Sequence, residues 1–117
     1  MRIQPLMLAL AVLGLAGCAN DPAPNEQLRL SEQALEQAKA VGANEQVPEF
    51  KLAEDKLARA KSNMLGESHR DARMRAEQAE LDARLAEARV LNQKSEEQLQ
   101  AMQSRIKRLR KQLEVQP

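Results

Sequence analysis

The chain has 117 residues, 18 Lys and Arg against 17 Asp and Glu, a formal charge of +1 and only 1% aromatic residues. Near-balanced charge, with neither Trp nor Tyr, excludes a basic base-stacking surface for nucleic acid. Abundant Ala, Glu, Lys, Leu, Arg and Gln, with 30% charged residues and no strand-like alternation, points to an all-α fold of helical-bundle and coiled-coil character.

Residues 1–17 have the layout of a secretory signal peptide: basic Arg2, an apolar core from Leu6 to Leu15, then small residues before a cut. The core is about ten residues, half the ~20 a membrane-spanning helix needs. The run Leu15-Ala16-Gly17-Cys18 resembles the lipobox of bacterial lipoproteins. The resemblance implies cleavage after Gly17 and diacylglycerol on the Cys18 sulfur, with the new amino group acylated as well. Two or three acyl chains, at roughly 0.8 kcal/mol per buried methylene, anchor a protein essentially permanently. An acylated Cys18 offers no disulfide, metal ligand or nucleophile, and a covalent lipid is the only prosthetic group expected. Ala19 stands where an aspartate resembles an inner-membrane retention signal, so the expected location is the periplasmic face of the outer membrane. Losing Arg2 with the signal leaves the mature chain formally neutral.

The proline-containing stretch from Ala19 to Asn25 reads as an extended tether, reaching up to ~20 Å at ~3.3 Å per residue. A first helix is predicted from near Glu26 to Val41, capped by Asn25 and ended by Gly42 in the left-handed conformation. Leu28, Ser31, Leu35 and Ala38 share one of its faces. A second helix opens at Pro48, a residue suited to the first helical position, and Glu49 adds a favourable charge there. Its face is Phe50, Ala53, Leu57, Ala60 and Met64, and Gly66 ends it. Ser68 starts a third helix, with Asp71 three residues on in a box-like capping arrangement. No Gly or Pro interrupts it before Pro117, so it runs about 72 Å at 1.5 Å per residue.

The third helix carries two seams. Met74, Gln78, Leu81, Leu85, Ala88, Asn92, Ser95, Leu99, Met102, Ile106, Leu109 and Leu113 step by four and three, the heptad rule for a helix that meets partners. Ala72, Ala76, Ala79, Ala83, Ala86 and Val90 form the second seam, which continues only as polar residues. The first half is therefore apolar on two faces and the second half on one. Helices one and two are expected to pack on the first half, where alanines allow close approach. This divides the chain into a signal (1–17), a lipidated cysteine and tether (18–25), a three-helix part (26–91) and a projecting arm (92–117).

On the arm, Leu99, Met102, Ile106, Leu109 and Leu113 form a bare apolar stripe, and burying each is worth roughly 1.5–3 kcal/mol. They are the expected partner-binding residues, for a second copy or another envelope protein's helix. Arg105, Lys107, Arg108, Arg110 and Lys111 form the one charge cluster. Cations at a helix carboxyl end stabilise it. The functional reading is an anion-binding tip that meets the cell wall, its peptidoglycan included.

Beyond the lipobox, residues 26–90 resemble a family of short bacterial lipoproteins with an alanine-rich helical domain of unknown function. The resemblance is carried by Ala34-Leu35, Ala38, Val41-Gly42-Ala43, Pro48, Leu52-Ala53, Lys56-Leu57-Ala58-Arg59-Ala60 and the alanines after Gly66. It implies an envelope-linked role and no particular chemistry. A tetratricopeptide-like helix pair is hinted at by alanines seven apart, but its spacing is off by one and its aromatics are missing.

No catalytic constellation stands out. His69, the one histidine, reads as a solvated helix start, because a metal site needs several ligands at fixed geometry. Acids recur on nearly every helical turn at ion-pair spacing from Lys and Arg, as on solvated faces. Neither a phosphate loop, a serine elbow nor a cysteine–histidine pair occurs. The expected function is a non-enzymatic outer-membrane lipoprotein acting as a helical spacer or adaptor, with no cofactor and no metal. The alternative is an accessory or regulatory subunit of an envelope enzyme or secretion machine, bound through the long helix.

Overall fold

A computed structural model describes residues 21–115. Three helices make up the fold: α1 (Asn25–Val41), α2 (Pro48–Leu65) and α3 (His69–Glu114). The two short helices pack against the first half of the long one. The lipobox, Leu15, Ala16, Gly17 and Cys18, lies outside the described residues.

Chain chemistry sets each boundary, though not always through the expected residue. Asn25 is the first helical residue of α1, not its cap. Pro24 takes the cap position, its carbonyl accepting from the Leu28 amide at 3.0 Å, with no side-chain cap bond. Proline has no amide to satisfy there, and the Asn25 amide donates to the Ala23 carbonyl at 2.9 Å. At the other end Gly42 has φ 107 and donates to the Lys39 carbonyl, while Ala43 donates to that of Ala38, both at 2.9 Å. This is the Schellman arrangement, and it closes two carbonyls a helix end leaves open.

Pro48 opens α2, and Val47 before it is extended, as a residue preceding proline must be. The α2 end repeats the Schellman bonds one residue late. Glu67 donates to the Met64 carbonyl at 3.2 Å and Ser68 to that of Asn63 at 2.9 Å. Gly66 sits at φ −85, and the left-handed position falls to Glu67 at φ 58. Ser68 caps α3 through its carbonyl, which accepts from Ala72 at 2.9 Å. The expected box with Asp71 does not form, since the Ser68 side chain makes no cap bond. Asp71 still contributes its charge to the first turn.

Gln27 of α1 donates to Glu80 at 2.7 Å, and Lys94 reaches the Val41 carbonyl at the far end of α1, so α1 runs alongside α3 in the same direction. Arg89 meets Glu49 at 2.8 Å and Lys56 meets Asp82 at 2.6 Å, so α2 runs the opposite way. The chain is thus an up-down-up bundle with α3 overshooting it.

The core is made of small residues. Ala72, Ala76, Ala79, Ala83 and Ala86 of α3 are fully buried, against Ser31, Ala34, Leu35 and Ala38 of α1 and Phe50, Ala53, Leu57 and Ala60 of α2. Leu28, Val47 and Val90 close its margins. Ser31 lies between two backbones: its Oγ is 2.7 Å from both the Gln27 and Ala76 carbonyls, and its one proton serves either. A larger residue there would push α1 off α3. Both short helices therefore sit on the alanine seam, and the leucine seam is left uncovered.

Candidate interaction surface

The leucine seam is open from one end of α3 to the other. Leu81, 66% exposed, and Leu85, 52% exposed, stand on the bundle, in line with Leu99 and Leu109 on the arm at 58% and 52%. Alanine wins the inner face because helices approach closely only where side chains are short, and the larger leucines are turned outward. Val90 is half-buried, and from Leu91 to Val115 every described residue is exposed. The five stripe residues Leu99, Met102, Ile106, Leu109 and Leu113 thus extend a face that already begins on the bundle. Leu91 is also exposed, close beside the seam.

The arm holds its shape through its own helix. Ser95 donates to the Leu91 carbonyl at 2.9 Å, and Gln93 donates to Glu97 at 3.1 Å, one turn on. Arg105, Lys107, Arg108, Arg110 and Lys111 are all exposed, and among the described residues none of them is ion-paired. At 100° per residue they ring the helix and do not form a patch. Arg105 and Arg110 flank the seam on either side, and Lys107, Arg108 and Lys111 lie behind it.

The opposite end of the molecule handles the incoming chain. His69 is half-buried, and its Nδ1–H donates to the Asp21 carbonyl at 2.9 Å, while Arg73 donates to that of Pro22 at 3.3 Å. His69 is therefore more than a solvated helix start: it pins Asp21 to the base of α3, and Arg73 pins Pro22. Sequence spacing carries no signal for this contact, because the partners are backbone carbonyls of a segment without regular structure. Residues 21–22 thus lie at the base of α3, and the far end of that helix is about 68 Å away.

Polar residues on the bundle stitch the helices together. Glu80 takes bonds from Gln27 and from Arg84, and Lys61 pairs with Glu32 at 2.6 Å. Lys39 lies 5.9 Å over the Phe50 ring. Exposed Glu26 accepts from Arg29, which holds its carboxyl below the ordinary range and raises the guanidinium. Among the described residues no group of three or more His, Cys, Asp or Glu could hold a metal, and no helix is long and apolar enough to cross a membrane.

A family described as a domain of unknown function, DUF4398, matches residues 26–102. The crystal structure of a DUF4398 family protein from Pseudomonas aeruginosa PAO1 is similar over 79% of this chain and 96% of that one, with 64% identity and a TM-score of 0.77. No curated protein matches the chain.

Proposed function

We propose, from the premise that the chain belongs to the DUF4398 family, that it is a non-enzymatic lipoprotein of the outer membrane, working as a helical spacer and adaptor in the periplasm. Acylated Cys18 holds it to the membrane, and the arm of α3 makes its contacts. The observation that carries this reading is the open leucine seam, which runs past the end of the bundle on a face that none of the other described residues covers. A row of large apolar side chains in water is costly unless it meets a partner. The geometry of the tether supports the same reading. Asp21, three residues after Cys18, sits at the base, so an anchor there leaves the tip free to reach away.

Detergent-phase partitioning with mass spectrometry of the mature amino terminus tests the anchor. The expected result is recovery in the detergent phase, with an acylated cysteine as first residue. A free, uncut chain with a bare thiol would defeat the location and the adaptor role together. An affinity pull-down then tests the arm. Cell-wall fragments or a second copy are expected, with wall capture lost when all five tip cations become glutamine. One stoichiometric envelope enzyme or secretion component, captured instead, would make the chain an accessory subunit.

A further inference from the structure

Between Ser95 and Leu113 the seam keeps a strict heptad, with Leu99, Ile106 and Leu113 at one core position and Ser95, Met102 and Leu109 at the other. The residues flanking the seam decide what can lie on it. Asp82, Arg89, Glu96, Gln103 and Arg110 line one side, and Glu77, Arg84, Leu91, Gln98, Arg105 and Gln112 the other. A second copy lying parallel and in register would set Glu77 beside Asp82, Arg84 beside Arg89 and Arg105 beside Arg110. Asp82, Arg84 and Arg89 already pair with Lys56, Glu80 and Glu49 within the chain, so the repulsion falls on Arg105 beside Arg110, with two full sets of tip cations sharing one end.

An antiparallel copy reverses the sign. Leu99 can face Leu109, Met102 can face Ile106, and Ser95 can face Leu113, each contact occurring twice. In that register Glu96 of each chain lies beside Arg110 of the other. Gln98 meets Gln112, Gln103 meets its own copy, and so does Arg105: one like-charged pair against two opposite ones. The cationic tip of each arm also comes to rest over the acidic Glu96-Glu97 start of the other. Sliding the copy one heptad toward the bundle loses both advantages. It puts Asn92 opposite Leu109 and Arg89 beside Arg110.

We propose that a second copy of this chain covers the arm, antiparallel and tip over tip, with Leu99 against Leu109 and Glu96 paired with Arg110. The proposal rests on the reading of the arm as the contact surface, and it names the partner and the direction. The overlap is about 27 Å long, and the two bases stand about 105 Å apart, facing away from one another. The dimer is a strut with a bundle at each end. Because the overlap is under three heptads, it dissociates in the micromolar range in dilute solution.

Sedimentation equilibrium of the full chain in density-matched detergent tests this. A reversible dimer is expected. Glu96→Arg and Arg110→Glu should each weaken it about fivefold, and the double exchange should return it to within about twofold of the parent. Circular dichroism confirms that each variant remains helical, since all these positions are exposed. A parallel dimer would respond in the opposite direction, because Arg110→Glu would then pair with Arg105 and tighten it. That tightening, a failure of the double exchange to restore, or a strict monomer at about 1 mM would each overturn the proposal. A chain that proves unlipidated still dimerises in this experiment if the proposal holds, so the two readings fail separately.

Discussion

Glu67 holds the least comfortable backbone in the described chain. A non-glycine residue at φ 58 places its Cβ against the neighbouring carbonyl, which costs roughly 1–2 kcal/mol for an L-residue. The glycine that could relieve this is one position too early, at Gly66, where φ −85 suits any residue. A Cβ built on Gly66 meets nothing nearer than the Asn63 and Ser62 carbonyls at 3.7 Å, an ordinary contact. Two substitutions follow from this. Glu67→Gly is expected to stabilise the fold by about 1 kcal/mol, which raises Tm by roughly 4–8 °C in a domain of this size. Gly66→Ala is expected to be neutral or to stabilise by up to about 1 kcal/mol, by narrowing the unfolded ensemble. Thermal unfolding followed by circular dichroism reads both, and a loss of more than 1 kcal/mol in either would contradict the geometry. The surface pair Glu26–Arg29 adds a small pH term. Its stabilising effect is present above the ordinary glutamate pKa and is lost as pH falls through the lowered one.

At the scale of the element, size outweighs hydrophobicity. The three helices were legible in the residues because Gly42, Pro48 and Gly66 punctuate them and apolar positions recur every three and four. Which face of α3 turns inward was not legible from apolarity alone. Leu81 and Leu85 outrank Ala79 and Ala83 on any hydrophobic scale, yet the alanines are buried and the leucines exposed. The reason is distance: α1 lies close enough to α3 that a side-chain oxygen, Ser31 Oγ, bonds the Ala76 carbonyl of the α3 backbone, and Ala53 and Ala60 of α2 are fully buried beside the same alanines. Caps were the least legible feature, because Pro24 and Ser68 use backbone carbonyls where a side chain was expected. Mutation should therefore invert the usual order. Ala79→Leu, which adds three carbons where no space exists, is expected to cost about 3 kcal/mol or more. Leu81→Ala, which removes three carbons from an exposed position, should cost within about 0.5 kcal/mol in the monomer. Urea titration of both variants below the dimerising concentration is the measurement. Equal losses would mean that the leucine seam is packed in solution.

The whole molecule combines two regions of different resistance to opening. The bundle backbone is shielded by three helices and clipped by Lys56–Asp82, Arg89–Glu49 and the Lys94 bond to Val41. Beyond Lys94 the arm has, among the described residues, only bonds within its own helix, exposed to water on all sides. An isolated helix of this length is marginal, since its bonds form cooperatively and fray from a free end. In dilute solution, hydrogen exchange should thus show protection high through Ala86, falling from Val90 and lowest near Glu114. The family match ends at residue 102, partway along the arm, so the region of least protection is also the one that match does not reach. Contact with a partner along the seam changes the profile in a specific way. Amides from Ser95 to Leu113 would then become protected together, while those from Leu91 to Lys94, outside the overlap, would change least. Raising protein concentration through the micromolar range should produce this block of new protection if the arm meets its own copy. If the block appears only on adding cell-wall fragments, the occupant is the wall. A profile unaffected by either would mean that the arm stays bare, and its apolar stripe would then serve no contact tested.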